Sequence, residues 1–211
     1  MGLTIHYSAR LKSMDLLPEL IHEVADICQS MGWEAQEVNE IVQLKEEVTF
    51  KPPLIDNKNI QLQGIYFNPP RCESVILSFI SSGWTSAPIQ LQLAKDYERI
   101  DSYPAFKKMP KLVYTIHTKT QRGGADMHIA IVKLLKYLEK KYFAVMNVSD
   151  EGNYWNTMDK AILQARFDEY TQLIDSVKGA LEKDNWRITN EPFHLSDKID
   201  DLLDSRKDRL D

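Results

Sequence analysis

Two histidines lie in short segments that alternate apolar and polar residues. His6 falls in "LTIHYSARL" and His117 falls in "KLVYTIHTKTQ". This alternation predicts β-strands with one buried and one solvated face, and both histidines belong to the polar face of their strand. Two imidazoles on neighbouring strands can act as the base and the acid in the hydrolysis of a phosphoester.

These two segments partly resemble the two-histidine phosphodiesterases, in which each strand histidine is followed two positions later by serine or threonine. His6 and Ser8 fit that arrangement. Lys119 stands in the equivalent position after His117, and Thr120 points to the other face. The resemblance therefore implies a phosphoester hydrolase that uses His6 and His117 as its acid–base pair, with half of the motif absent.

A turn and a predicted helix follow His117, in "TQRGGADMHI". Lys119, Arg122 and the free N–H groups at a helix N-terminus can bind an anion. However, Asp126 is expected to cap the same helix, and its charge would repel a phosphate. Gly123 and Gly124 are also explained by a simple turn that needs positive φ, so an anion site and an ordinary turn both remain open.

Three further side chains are candidates for catalysis. His128 lies in the first turn of the predicted helix and can serve as a base, or it can simply pack against its neighbours. Asp150 and Glu151 end a predicted strand in "SDEGNYW", where carboxylates can act as acid and base or merely form a turn. The spacing specifies no further oxygen ligands, so we predict neither a metal site nor a cofactor.

The predicted elements define the fold that must position these residues. Several strands follow one another without a helix between them, which favours antiparallel pairing. The pattern predicts an α+β fold, a mainly antiparallel mixed sheet with helices packed on one face as a two-layer sandwich. The strand segments are "LTIHYSARL", "IQLQGIYF", "ESVILSFISSGW", "KLVYTIHTKTQ" and "FAVMNVSDEG", and the helices fall near residues 13–32, 126–142 and 153–183.

If the helices cover the apolar face, the opposite face of the sheet is polar. Such a face is either simply solvated or a surface that binds a partner. Our leading hypothesis is a binding or interaction domain whose partner is an unknown protein or a small anionic ligand. The candidate ligand-binding residues on this face and its adjoining loop are Arg10, Ser78, Lys119 and Arg122.

Composition limits the class of protein. The chain has 211 residues and a net charge of −5, which argues against nucleic-acid binding. Its two cysteines are far apart, and neither a signal peptide nor a membrane span is recognisable, so we expect a cytoplasmic protein. We predict one domain over residues 1–183 and a charged extension over 184–211 with one short helix. The apolar stripe from Leu163 to Leu181 predicts packing on the sheet or, alternatively, a homodimer.

Four segments together carry a further resemblance: "GLTIHYSARL", "IHTKTQRGG", "KYLEKKYFAVMNVSDEGNYW" and "FDEYTQLIDSV". They are similar to an uncharacterised family of bacterial, Bacteroidetes-like proteins with no assigned activity. The resemblance extends to about residue 183 and implies a bacterial, cytoplasmic, single-domain protein. It transfers no catalytic residue.

Overall fold

A computed structural model describes residues 3–50, 54–106 and 110–183, and it confirms the α+β class. The predicted extension 184–211 lies outside the described residues. The described residues divide into two units, the first ending at Gln164 and the second beginning at Ala165. The strands are β1 (Thr4–Leu11), β2 (Glu34–Gln43), β3 (Asn59–Asn68), β4 (Val75–Ile80), β5 (Ile116–Lys119) and β6 (Phe143–Asp150). The helices are α1 (Leu17–Met31), α2 (Pro88–Gln92), α3 (Ala94–Asp101), α4 (Gly124–Tyr142), α5 (Tyr154–Thr157) and α6 (Lys160–Lys183).

The first sheet has the order β5-β1-β6, and both pairings are antiparallel. β1 lies in the centre, and its alternation gives it one fully apolar face. Ile5, Tyr7 and Ala9 have at most 1% of their surface exposed. α4 covers this inner face. Its residue His128 contacts Asp150 of β6, whose side chain points inward.

The second sheet has the order β2-β3-β4 and is also antiparallel. α1 lies against β2 and β3 and ends at Gly32, whose φ of 67° suits glycine. Trp33 then stacks on Phe67 of β3 with ring centroids 5.7 Å apart. A separate part of the core surrounds Phe50, Leu62, Ile80 and Leu91.

Residues 83–85 connect the two sheets. The Thr85 N–H donates to Ala9 O of β1 at 2.9 Å, and Thr85 also bridges Phe79 of β4. Trp84 forms a bridge with Arg10 on the other side of β1 from β6. The predicted strands are present, but they are divided between two linked sheets instead of forming one sheet.

Three local predictions differ from the structure. β2 was not predicted as a strand, because its face is almost entirely polar and only Val42 is buried. Residues 112–114 form a 3-10 helix before β5, so the predicted strand begins only at Ile116. Residues 85–106, which lie outside the strands and helices predicted above, contain α2, α3 and a 3-10 turn at 104–106.

The apolar stripe of α6 is buried only near its start. Leu163 is fully buried, whereas Ile174 has 48% of its surface exposed. Leu181 is among the residues whose side chains lie outside the description. Homodimerisation through this stripe stays a prediction. Within the described residues, no helix combines the length and apolarity needed to cross a bilayer.

Replacement of Gly64 should destabilise the second sheet. A Cβ atom at this position of β3 would lie 2.1 Å from Leu77 O of β4, which is backbone and cannot rotate away. We expect Gly64→Ala to lower the free energy of unfolding by about 2–3 kcal/mol in urea denaturation. Gln63→Ala, in the same strand, adds no atom beside β4 and should change stability by less than about 1 kcal/mol.

Candidate functional site

His6 and His117 lie directly opposite each other on β1 and β5. The backbone of Thr4 hydrogen-bonds to Glu151 on the β6 side, so the backbone of His6 also faces β6. His6 and His117 therefore form a non-hydrogen-bonded pair, the type in which side chains approach most closely. Their ring centroids are 6.2 Å apart with planes tilted by 42°. The prediction that both imidazoles share the face opposite the helices is confirmed.

Glu151 supplies a third polar group beside this pair. Its Oε1 lies 3.6 Å from His6 Nε2, and its Oε2 accepts the Thr4 N–H at 2.9 Å. The side chains of His6 and Glu151 are 41% and 39% exposed, and His117 is exposed as well. The three groups can reach a ligand from solvent, and Glu151 is held in place by the backbone.

Other candidates of the polar face have structural partners. Arg10 lies over the Trp84 ring at 5.8 Å, and Trp84 stacks on Tyr114. The prediction that Ser78 belongs to this face is wrong, because β4 is part of the second sheet. Ser78 is fully buried there and donates its hydroxyl to Ser86 O at 2.5 Å.

A buried chain of polar groups lies beneath the sheet, on its inner face. Asp150 Oδ1 is 3.0 Å from His128 Nε2, and both side chains are fully buried. His128 Nδ1 is in turn 2.7 Å from the hydroxyl of Thr120, which is also fully buried. The order hydroxyl, imidazole, carboxylate is that of an activated nucleophile. Because all three side chains are enclosed, this chain cannot reach a substrate, and it serves to hold β6, α4 and the end of β5 together.

The protein keeps Asp150 ionised. Burial raises the pKa of its carboxyl, but the contact with His128 works against burial, and the pKa lies below its usual value. The backbone N–H groups of Trp155 and Gly152 add to this effect, donating at 2.8 and 2.7 Å. Gly152 leaves room for these contacts, because a Cβ atom there would lie 2.5 Å from Leu163 Cδ1 and 3.1 Å from the His128 ring.

Two turns meet at the edge of β5. The first turn is closed by Cys72 N–H donating to Pro69 O at 3.1 Å, and the second by Gly123 N–H donating to Thr120 O at 2.8 Å. They touch where a Cβ atom on Gly123 would lie 2.4 Å from Cys72 Sγ. The close approach at Gly123 thus brings together two segments that are remote in sequence.

The two turns form a cleft of about 600 Å³ lined by three cations, one carboxylate and one thiol. Lys119 is half-buried, and Arg71 and Arg122 are exposed. Burial raises the pKa of the Cys72 thiol to about 11, so it is uncharged at neutral pH. The cleft therefore carries a net charge of about +2. Its lining consists of Arg71, Cys72, Glu73, Lys119 and Arg122.

Two predictions about carboxylates need correction. Asp126 does not cap α4, which begins after Gly123 without a side-chain cap, and it instead accepts from Lys160 Nζ at 2.7 Å. Asp150 and Glu151 do not act as a pair, because strand alternation sends Asp150 inward and Glu151 outward. Among the described residues no group of three or more potential metal ligands occurs.

Comparison with protein-family models, curated proteins and solved structures finds no match for this chain.

The structure adds residues that the sequence did not single out. Arg71 and Glu73 join Lys119 and Arg122 in the cleft, and Thr120 joins the buried chain. The signal for Arg71 was present in "NPPRC", since two prolines and a following cation predict a turn with a charged tip.

The buried pair predicts a specific pH dependence. We expect Asp150→Asn to lower the free energy of unfolding by about 3 kcal/mol at neutral pH, because His128 loses its buried partner. The folded-state pKa of Asp150 is depressed, so its contribution is complete above the unfolded value of about 3.9 and disappears as pH falls through the folded value. The difference between variant and wild type should therefore narrow in acid, as measured by urea denaturation across this range.

The chain contains a matched control for this measurement. His22 and Asp26 also form a histidine–carboxylate pair, at 3.5 Å, but their side chains are 82% and 62% exposed. Asp26→Asn should leave stability nearly unchanged, because exposed ion pairs contribute little. Equal losses in the two variants would contradict the role assigned to the buried pair.

Proposed function

We propose that the protein binds an anionic ligand through the cleft formed by Arg71, Lys119 and Arg122. The observation that carries this proposal is that none of the three cations forms an ion pair with a carboxylate that the structure describes. Three like charges around one concavity repel one another, and a bound anion relieves that repulsion. The volume of the cleft lies in the range of small-molecule sites.

Unpaired cations occur elsewhere among the described residues, but these three are distinguished because they line one cleft. Among the described residues, six cations outside the cleft lie within 4 Å of a carboxylate. The carboxylate in the cleft, Glu73, is already engaged, because its Oε2 accepts the backbone N–H of Lys119 at 3.0 Å. The six paired cations are Lys95, Arg99, Lys111, Lys141, Lys160 and Arg166.

A second candidate function, phosphoester hydrolysis, is favoured by the contact between His6, His117 and Glu151. One imidazole would take the proton of the attacking water as its oxygen bonds to phosphorus. The other, protonated, would donate to the leaving oxygen as the ester bond breaks. Lys119 follows His117 on the same face of β5 and would stabilise the phosphoryl oxygens. We rank this function second because neither histidine lines the cleft.

The proposal includes a cytoplasmic location. It is supported by Cys28 and Cys72, which are both free thiols, as expected in a reducing compartment.

The anion-binding proposal is tested with inorganic phosphate by isothermal titration calorimetry. Lys119→Ala and Arg122→Ala should each weaken binding about tenfold, because each removes one charge-assisted hydrogen bond. Lys45→Ala removes the same charge from an exposed position outside the cleft and should have no effect. Equal affinities in the three variants, or no phosphate binding by the wild-type protein, would overturn the proposal.

The hydrolase proposal is tested with the chromogenic diester bis(para-nitrophenyl) phosphate. His6→Ala and His117→Ala should each reduce kcat/KM by about 100-fold or more, as expected for loss of a general acid or base. His22→Ala, on exposed α1 surface, is the matched control and should retain full activity. Undetectable turnover by the wild-type protein, or undiminished turnover by both variants, rules out this mechanism.

A further inference from the structure

Arg71 has an unusual backbone conformation. Its φ of 58° lies in the left-handed region, and it occupies the third position of the turn that Cys72 N–H closes on Pro69 O. With Pro70 at the second position this is the arrangement of a type II turn, whose third position favours glycine. An arginine there is strained relative to glycine. Strain retained by a side chain that lines a cleft points to a function of that side chain.

The guanidinium group is suited to one kind of ligand. It presents a planar fork of donors that matches two oxygens of a phosphate, whereas an ammonium acts as a point charge. Arg122 occupies the equivalent third position of the facing turn, closed by Gly123 N–H on Thr120 O. Two forks therefore reach the cleft from opposite turns, and Lys119 lies at its β5 side.

The net charge of the cleft indicates which class of anion it can bind. Three cations and the carboxylate of Glu73 leave about two positive charges, as long as the Cys72 thiol is neutral. A phosphate monoester carries about 1.5 to 2 negative charges at neutral pH and matches this balance. A phosphate diester or a carboxylate has a single charge and leaves one cation uncompensated. The lining residues that the structure describes are charged or polar, so recognition is assigned to the charged end of the ligand.

We propose that the cleft selects phosphate monoesters over diesters and that Arg71 is the residue that confers this selectivity. The proposal rests on the anion-binding function proposed above. It adds the ligand class and gives a reason for an arginine at a position where glycine would be more stable. The ester can be a free small molecule or a phosphorylated side chain of another protein, because both present the same terminal group.

Arg71→Gly separates binding from stability. Glycine adopts the left-handed conformation without strain, so the Tm of this variant should be no lower than that of the wild type, while affinity for a monoester falls about tenfold. Arg71→Lys keeps the charge and loses the fork, so it should retain weak binding with reduced selectivity. Met158→Gly is the matched control, because Met158 also has a positive φ, of 53°, and lies outside the cleft lining. It should leave binding unchanged.

The ligands are compared by calorimetry on the full chain. Glycerol phosphate should bind about tenfold more tightly than dimethyl phosphate, and the preference should be lost in Arg71→Gly. A phosphoserine peptide that binds more tightly than glycerol phosphate supports the proposal and indicates a protein partner; the reverse order supports it and indicates a small molecule.

Three results would contradict these proposals. Equal affinity for glycerol phosphate and dimethyl phosphate, with both weakened by Lys119→Ala, would overturn the selectivity of Arg71 and leave anion binding intact. A monoester preference that persists in Arg71→Gly would also overturn the role of Arg71. If the wild-type protein binds none of these ligands, both proposals fail.

Discussion

The buried contact between Asp150 and His128 is the constraint on which the arrangement of the site depends. A buried carboxylate is costly unless it is paired and hydrogen-bonded, and this one takes its partners from α4 and from the chain after β6. Through His128 the network continues to Thr120, immediately after β5. Glu151 follows Asp150 and Lys119 precedes Thr120, so the same interior contacts decide where these two charges reach the surface. Interior packing and surface chemistry are therefore linked through adjacent residues.

The three cations of the cleft and the two histidines occupy neighbouring but different surfaces. The three cations line a concave cleft, whereas His6 and His117 lie on the exposed face of the first sheet. Lys119 is common to both, because it lines the cleft and shares the outer face of β5 with His117. The cleft alone is sufficient for binding. Hydrolysis would additionally require a ligand that extends from the cleft toward the histidines.

Local periodicity in the sequence was sufficient to place His6 and His117 on one face, because side chains alternate along a strand whatever its partners are. It was insufficient for Ser78. Alternation correctly places Ser78 on one face of β4, but it does not show which sheet β4 joins. It also failed for β2, whose polar composition conceals a strand that pairs along its whole length with β3. The convergence of Arg71 with Arg122 was beyond sequence reasoning, since it depends on a contact at Gly123 between two remote turns. What could be predicted follows from neighbours along the chain, and what was missed follows from tertiary contacts.

The edge position of β2 affects how the protein behaves at high concentration. It is ten residues long and forms an edge of its sheet, so its outer backbone groups can accept a strand from another chain. If two copies paired antiparallel about Glu37, that residue would face its own counterpart, and Glu34 would face Glu40. Like charges directly opposite each other destabilise a strand pair. The glutamates that conceal β2 in the sequence thus discourage this edge from joining sheets of separate molecules into an aggregate.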